Sequence, residues 1–247
     1  MLLVPLSLLV MWWGGVAWSV IVGLVGIGLL AEWVQLCGTS PRAPLGALLV
    51  LVSALGWGLA IFGPPLPVLQ FGLGALLLML LLARPWLGFG VLYVGVSVWA
   101  LIWLRQQAAG FDNLLFLLPV VWASDVGAYV AGRVVGGPKL APAISPGKTW
   151  SGALGGVVAA CLVGATIAGG LAGHPSRAAL LASLLAVVSQ IGDLGESYVK
   201  RRFGVKDSGR LIPGHGGLLD RLDGVLAASL AAVGWAFVAG PGQYLWR

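Results

Sequence analysis

Charge is scarce in this chain. Only 9% of its 247 residues are Asp, Glu, Lys or Arg, against about a quarter in soluble globular domains, and no segment reads as a soluble domain. Cysteine is nearly absent. Cys37 and Cys161 lie within or beside apolar runs, with no spacing of a disulfide framework or metal knuckle, and read as packing residues. Of the two histidines, His174 falls in a short connection away from the other polar residues and is given no role. No repeat of fixed period is visible. No small-residue cleavage site follows the apolar N-terminus, so that segment is expected to be retained.

What remains is oil. Hydrophobic residues make up 59% of the chain and the mean hydropathy is +0.99. Runs long enough to cross a bilayer as helix, roughly 17 to 25 residues, are expected at 45–62, 66–83, 86–104, 113–135, 149–171, 178–199 and 217–239. Residues 2–36 carry no charge before Glu32 and are broken by Gly14-Gly15, which divides them into two spans, the first short. The expected fold is all-α, a polytopic integral membrane protein of about nine transmembrane helices. Residues 1–104 form a scaffold of N-terminal helices, and 105–247 a catalytic region with cytosolic loops at 136–148 and 200–216.

Orientation follows from the basic residues, because short loops rich in Lys and Arg stay in the cytosol. Arg42, Arg84, Arg133, Lys139, Lys148, Lys200, Arg201, Arg202, Lys206, Arg210 and Arg221 fall on one side of this layout; Arg105, Arg177 and Arg247 fall on the other. That bias explains the net charge of +6 without nucleic acid as a partner.

The acidic residues are unevenly placed. Six of eight, Asp125, Asp193, Glu196, Asp207, Asp220 and Asp223, follow position 120. Carboxylates in or beside membrane spans cost about 3 kcal/mol each and are functional by default. As helix, Asp193, Ser197 and Lys200 (i, i+4, i+7) stack on one face, with Glu196 beside them, and Asp220 and Asp223 (i, i+3) share another. Two such faces meeting make an oxygen-rich pocket suited to a hard divalent cation.

Between them lies the densest charge in the chain, with Lys200, Arg201, Arg202, Lys206 and Arg210 running into Pro-Gly-His-Gly-Gly at 213–217. Singly, such residues are topology anchors or helix-dipole partners; together with Gly214, Gly216 and Gly217 before a helix start they read as an anion cradle. A second basic segment, Ser-Pro-Gly-Lys-Thr-Trp at 145–150, ends like a P-loop. It has Pro142 where that motif needs glycine and no βαβ unit around it, so the P-loop is rejected and Lys148 kept as a phosphate ligand.

The stretch Ser197-Tyr-Val-Lys-Arg, then Lys206-Asp-Ser-Gly, then Ile212-Pro-Gly-His-Gly-Gly-Leu-Leu-Asp-Arg-Leu-Asp223 resembles the signature of the phosphatidate cytidylyltransferase (CDP-diacylglycerol synthase) family at every specified position. Ser124–Tyr129, Ser145–Trp150 and Gly192–Ser197 are similar to its other blocks, in the same order. One position departs: many members carry Glu after Lys-Thr-Trp, and this chain has Ser151. The resemblance implies the reaction of CTP with phosphatidate to give CDP-diacylglycerol and diphosphate in phospholipid biosynthesis, by metal-assisted direct attack of the lipid phosphate on the CTP α-phosphorus. On that reading Asp193, Asp220 and Asp223 hold Mg²⁺, alone or with a second cation, and Asp125 is an outer ligand or the partner of a basic residue. Lys200, Arg201, Lys206, Arg210 and Arg221 bind phosphates, Ser145, Lys148, Ser197, Gly216 and Gly217 complete the substrate contacts, and Asp207 orients basic side chains. His215 donates to a phosphate oxygen, shuttles a proton or shapes the turn. The expected setting is the cell membrane, with the active site at its cytosolic face and a homodimer as the assembled form. Two other readings stay open on the residues alone: a CTP-dependent kinase of polyprenol or phytol type, and an ion-coupled transporter using the intramembrane acids.

Overall fold

The structure is a computed structural model, and it describes residues 3–62, 74, 84–171, 173–209, 216–240 and 243–246. Gly14 breaks the first apolar stretch with a φ of 70°, a conformation that glycine adopts without strain. Helix α1 (Leu3–Trp13) therefore ends and α2 (Gly15–Leu36) begins. At 11 residues, α1 rises about 16 Å, half of a hydrocarbon core of about 30 Å. Helices α3 (Pro44–Phe62), α4 (Pro85–Gln106), α5 (Gly110–Val134), α6 (Trp150–Gly170), α7 (Pro175–Arg202) and α8 (Leu219–Ala239) follow.

Six of these, α2 and α4 to α8, are long and apolar enough to cross a membrane. The protein is thus a helical membrane protein, with six such helices among the described residues where nine spans were expected. Apart from residue 74, the expected span 66–83 lies outside the described residues. Expectation and structure also differ at 136–148, expected as a loop. Here β1 (Lys139–Ala141) and β2 (Ser145–Thr149) form an antiparallel hairpin in which Lys139 pairs with Thr149 and Ala141 with Ser145.

The chain divides into two units, one of Met1–Gln106 with Arg202–Leu222, the other of Gln107–Arg201 with Asp223–Arg247. In the first, tryptophan indoles cross-link the helices, because a buried N–H in an apolar setting requires an acceptor. Trp18 Nε1 donates to Leu101 O (3.1 Å), Trp33 Nε1 to Trp86 O (2.9 Å) and Trp57 Nε1 to Gly95 O (3.0 Å). Gly26 and Gly90 make room for these rings; a β-carbon on Gly26 would come within 2.8 Å of Trp57.

In the second unit, small residues seat α5 against α6, the usual means of close helix approach in membranes. A β-carbon on Gly155 would stand 2.2 Å from that of Ala131, and one on Gly127 would stand 2.5 Å from that of Ala159. α5 ends on Gly136 and Gly137, both at positive φ, followed by Pro138, the common glycine-then-proline stop. The hairpin then leads into α6, whose first turn is capped by Thr149: its Oγ1 accepts from Gly152 N at 3.1 Å, the ordinary N-cap bond.

Candidate active site

The acidic residues of the second unit converge. Asp125 comes from α5, Asp193 and Glu196 from α7 and Asp223 from α8. Asp223 interacts electrostatically with Asp193 and Asp125, stands within hydrogen-bonding range of Glu196, and accepts the Gly224 amide at 2.8 Å. Such a group of carboxylates repels itself unless cations offset the charge. Two lysines do so in part. Lys148, presented by β2, forms a salt bridge with Asp193, and Lys200 pairs with Glu196 at 3.4 Å on the buried face of α7. Ser197 Oγ approaches Asp193 Oδ1 at 3.5 Å.

Asp125, Lys148 and Asp193 open on a cavity of about 550 Å³ that Tyr129, Arg133 and Gln190 also line. Arg133 lies over the Tyr129 ring, 5.9 Å from its centroid, and donates to its hydroxyl at 2.6 Å. Gln190 Nε2 sits 3.2 Å from both Ser124 Oγ and Ala153 O, holding α7 to α5 and α6 behind the carboxylates. The hairpin is tied to α7 by Arg201, whose Nε donates to Ile144 O at 3.3 Å. The cavity lining thus includes cationic and oxygen-donor groups, the equipment for a nucleotide's phosphates and their counter-ion.

A second polar group lies in the first unit. Asp220 Oδ2, in the first turn of α8, accepts from Ser208 N, Ser208 Oγ and Gly217 N, each at 3.0 Å. Glu32 of α2, only 2% exposed, accepts from Leu218 N at 3.0 Å, Leu219 N at 2.9 Å and Ser208 Oγ at 3.1 Å. The amides that open α8 are thus taken by carboxylates of the protein itself, the anion that a helix N-terminus favours. Glu32, Lys206, Asp207, Ser208 and Gly216 border a cavity of about 720 Å³.

The model of the Cytidylyltransferase family matches residues 1–238. The chain belongs to the cytidylyltransferase family. It is 41% identical over 239 residues to the phosphatidate cytidylyltransferase of Brucella suis biovar 1, covering 91% of this chain and 86% of that protein. The enzyme of the same name from Helicobacter pylori (strain ATCC 700392 / 26695) is 46% identical over 140 residues, or 56% of this chain and 52% of that protein. That from Staphylococcus epidermidis (strain ATCC 12228) is 43% identical over 135 residues, or 54% and 51%.

In this cytidylyltransferase the residues singled out from sequence fall into both groups. Asp125, Lys148, Asp193, Ser197, Lys200 and Asp223 are together in the second unit, with Ser145 at the start of β2 and Arg201 of α7 bonded to the hairpin. Lys206, Asp207, Gly216, Gly217, Asp220 and Arg221 belong to the first, where Arg221 is exposed and the Gly217 amide is already bonded to Asp220. His215 and Arg210 lie outside the described residues. Four residues escaped the sequence reading: Tyr129, Arg133, Gln190 and, most of all, Glu32. The last carried a legible signal, being the one carboxylate in the first 36 residues, in a span where it is costly.

Among the described residues no three Asp, Glu, His or Cys side chains form a closed metal cage. The donors present are carboxylate oxygens flanked by lysine. That set fits Mg²⁺, which keeps much of its water and binds through one or two carboxylates plus substrate phosphates.

Proposed function

We propose that this membrane cytidylyltransferase is a phosphatidate cytidylyltransferase, joining CTP and phosphatidate into CDP-diacylglycerol with release of diphosphate. The observation that carries the reading is the meeting of Asp125, Asp193, Glu196 and Asp223 beside Lys148 in a chain so similar to enzymes of that name. Both reactants are anions, and a phosphate monoester alone carries about −1.5 to −2. The chemistry therefore needs positioning and charge neutralisation more than a protein nucleophile.

Asp193, Asp220 and Asp223 are the proposed Mg²⁺ ligands: Asp193 and Asp223 belong to the acidic group of the second unit, and Asp220 to the polar group of the first. The ion, when bound, supplies the positive charge that screens the phosphates and stabilises charge developing at the α-phosphorus. Lys148 changes partner from Asp193 to a phosphate oxygen, which frees that carboxylate. Lys200, held by Glu196, keeps its ammonium close to the same region. Arg201, Lys206 and Arg221 bind phosphate oxygens from exposed positions, and Ser197 adds a hydroxyl ligand. Phosphatidate brings its own ionised oxygen, so a single direct displacement requires no covalent enzyme intermediate. The reading places the site at the cytosolic face of the cell membrane, in a homodimer.

The test is an assay of purified protein with CTP and short-chain phosphatidate, with and without EDTA. Cytidine label is expected in the lipid product, lost with EDTA and restored by Mg²⁺. Transfer of γ-phosphate label without cytidine would overturn the reading in favour of a CTP-dependent kinase.

A further inference from the structure

Glu32 is a buried carboxylate that the proposed chemistry leaves unused. It sits one turn from the end of α2 and is 2% exposed, and both of its oxygens point at the segment leading into α8. Oε1 takes the Leu218 amide and Oε2 the Leu219 amide, at 3.0 and 2.9 Å, so a residue of the second helix caps the last. Its reach extends further through Ser208. The single hydroxyl proton of Ser208 lies between Glu32 Oε2 at 3.1 Å and Asp220 Oδ2 at 3.0 Å, while the Ser208 amide also binds Asp220. Glycines complete the fit. A β-carbon on Gly209 would approach Glu32 Oε1 to 2.5 Å, and one on Gly217 would approach Ser208 Oγ to 2.0 Å.

We infer that Glu32 is a positioning residue for catalysis: by capping α8 and bridging through Ser208 it fixes where the Asp220 carboxylate stands and holds the segment at 205–209 against α2. This rests on the proposed metal role of Asp220. The chemistry demands a carboxylate at position 32. Each of its oxygens faces an N–H donor, so an amide there would set its own NH₂ against one of them. Buried donors left facing a donor are costly and shift the backbone that carries them.

The experiment uses the full-length protein in detergent. Glu32→Gln is expected to lower kcat by about 10- to 100-fold, the scale for misplacing reacting groups by about 1 Å. KM for CTP should change little. The Mg²⁺ concentration for half-maximal rate should rise about tenfold, as when the hydrogen-bond partner of a ligand is lost. Trypsin should cut faster after Lys206, a readout independent of turnover. Ser208→Ala should reproduce the Mg²⁺ shift, and the double variant should be no worse than Glu32→Gln alone, because both changes cut one chain of contacts. A folded Glu32→Gln protein with reduced rate, unchanged Mg²⁺ midpoint and unchanged trypsin cleavage would mean a merely structural role and overturn the inference. Loss of turnover in Asp220→Asn beside a wild-type Glu32→Gln also overturns it, and leaves the proposed site intact. Wild-type turnover in Asp220→Asn with faster cleavage in Glu32→Gln removes Asp220 from the site and the positioning role with it.

Discussion

Asp223 is the residue on which the acidic group turns, since it interacts with Asp193, Glu196 and Asp125 at once. Asp223→Asn keeps the shape and removes the charge. Turnover is expected to fall by at least about 100-fold, the loss typical of one preorganised electrostatic group, with normal membrane insertion; a single-turnover assay with α-labelled CTP measures it. Cys37, just past the end of α2, behaves in the opposite sense. Burial, only partly offset by a hydrogen bond with Trp33, pushes its thiol up to about 11. A raised thiol pKa leaves the neutral form dominant at every pH below it, so the reactive thiolate is scarce from pH 7 to 9. Thiol-directed labelling of Cys37 should be slow at pH 7.5 and quicken steadily as pH is raised to 9, as mass spectrometry of the intact protein will record.

At the scale of elements, the seam between α5 and α6 depends on the absence of side chains. Gly155→Val would drive a β-carbon to within 2.2 Å of Ala131, and overpacking of this kind costs about 1–3 kcal/mol. A lower melting temperature in detergent is expected, with kcat reduced because α5 bears Asp125 and α6 follows the Lys148 hairpin. Helices were legible in the sequence because long apolar runs need no partner to declare themselves, and the Gly14-Gly15 break marked the division of α1 from α2. The hairpin was not. Its strands are 3 and 5 residues long, too short for any periodicity, and they are held from outside by Arg201 and by the Trp150 amide on Pro138 O at 3.1 Å. Likewise the clustering of Asp125 with Asp193 and Asp223 joins three helices, and nothing in the local pattern of α5 announces it. Glu32 was visible as an oddity, but its partners lie 176 to 187 residues away.

For the molecule as a whole, the eleven-to-three division of basic residues predicts which face each segment occupies. Cysteine introduced at Val205, exposed in the basic segment, should react with an impermeant reagent only from the cytosolic side. One at Gln243, exposed near the C-terminus, should react only from the opposite side. Labelling of intact cells and of inverted vesicles distinguishes the two, and the reverse pattern would separate the acidic residues from cytosolic CTP.

The bond from Leu218 to Glu32 spans 186 residues of sequence, and this distance is also a delay. At about 5–20 residues per second, the ribosome needs roughly 10–40 s after making α2 before it supplies the amides that answer the Glu32 carboxylate. Through that interval the nascent protein holds an acidic side chain near the end of an apolar helix without its final partners. A polypeptide released before α8 never supplies the Leu218 and Leu219 amides, and leaves the Glu32 carboxylate without them. Assembly of this polar group therefore waits for the start of α8, and a product that stops before Gly217 lacks the amides that hold Glu32 and the Asp220 carboxylate itself.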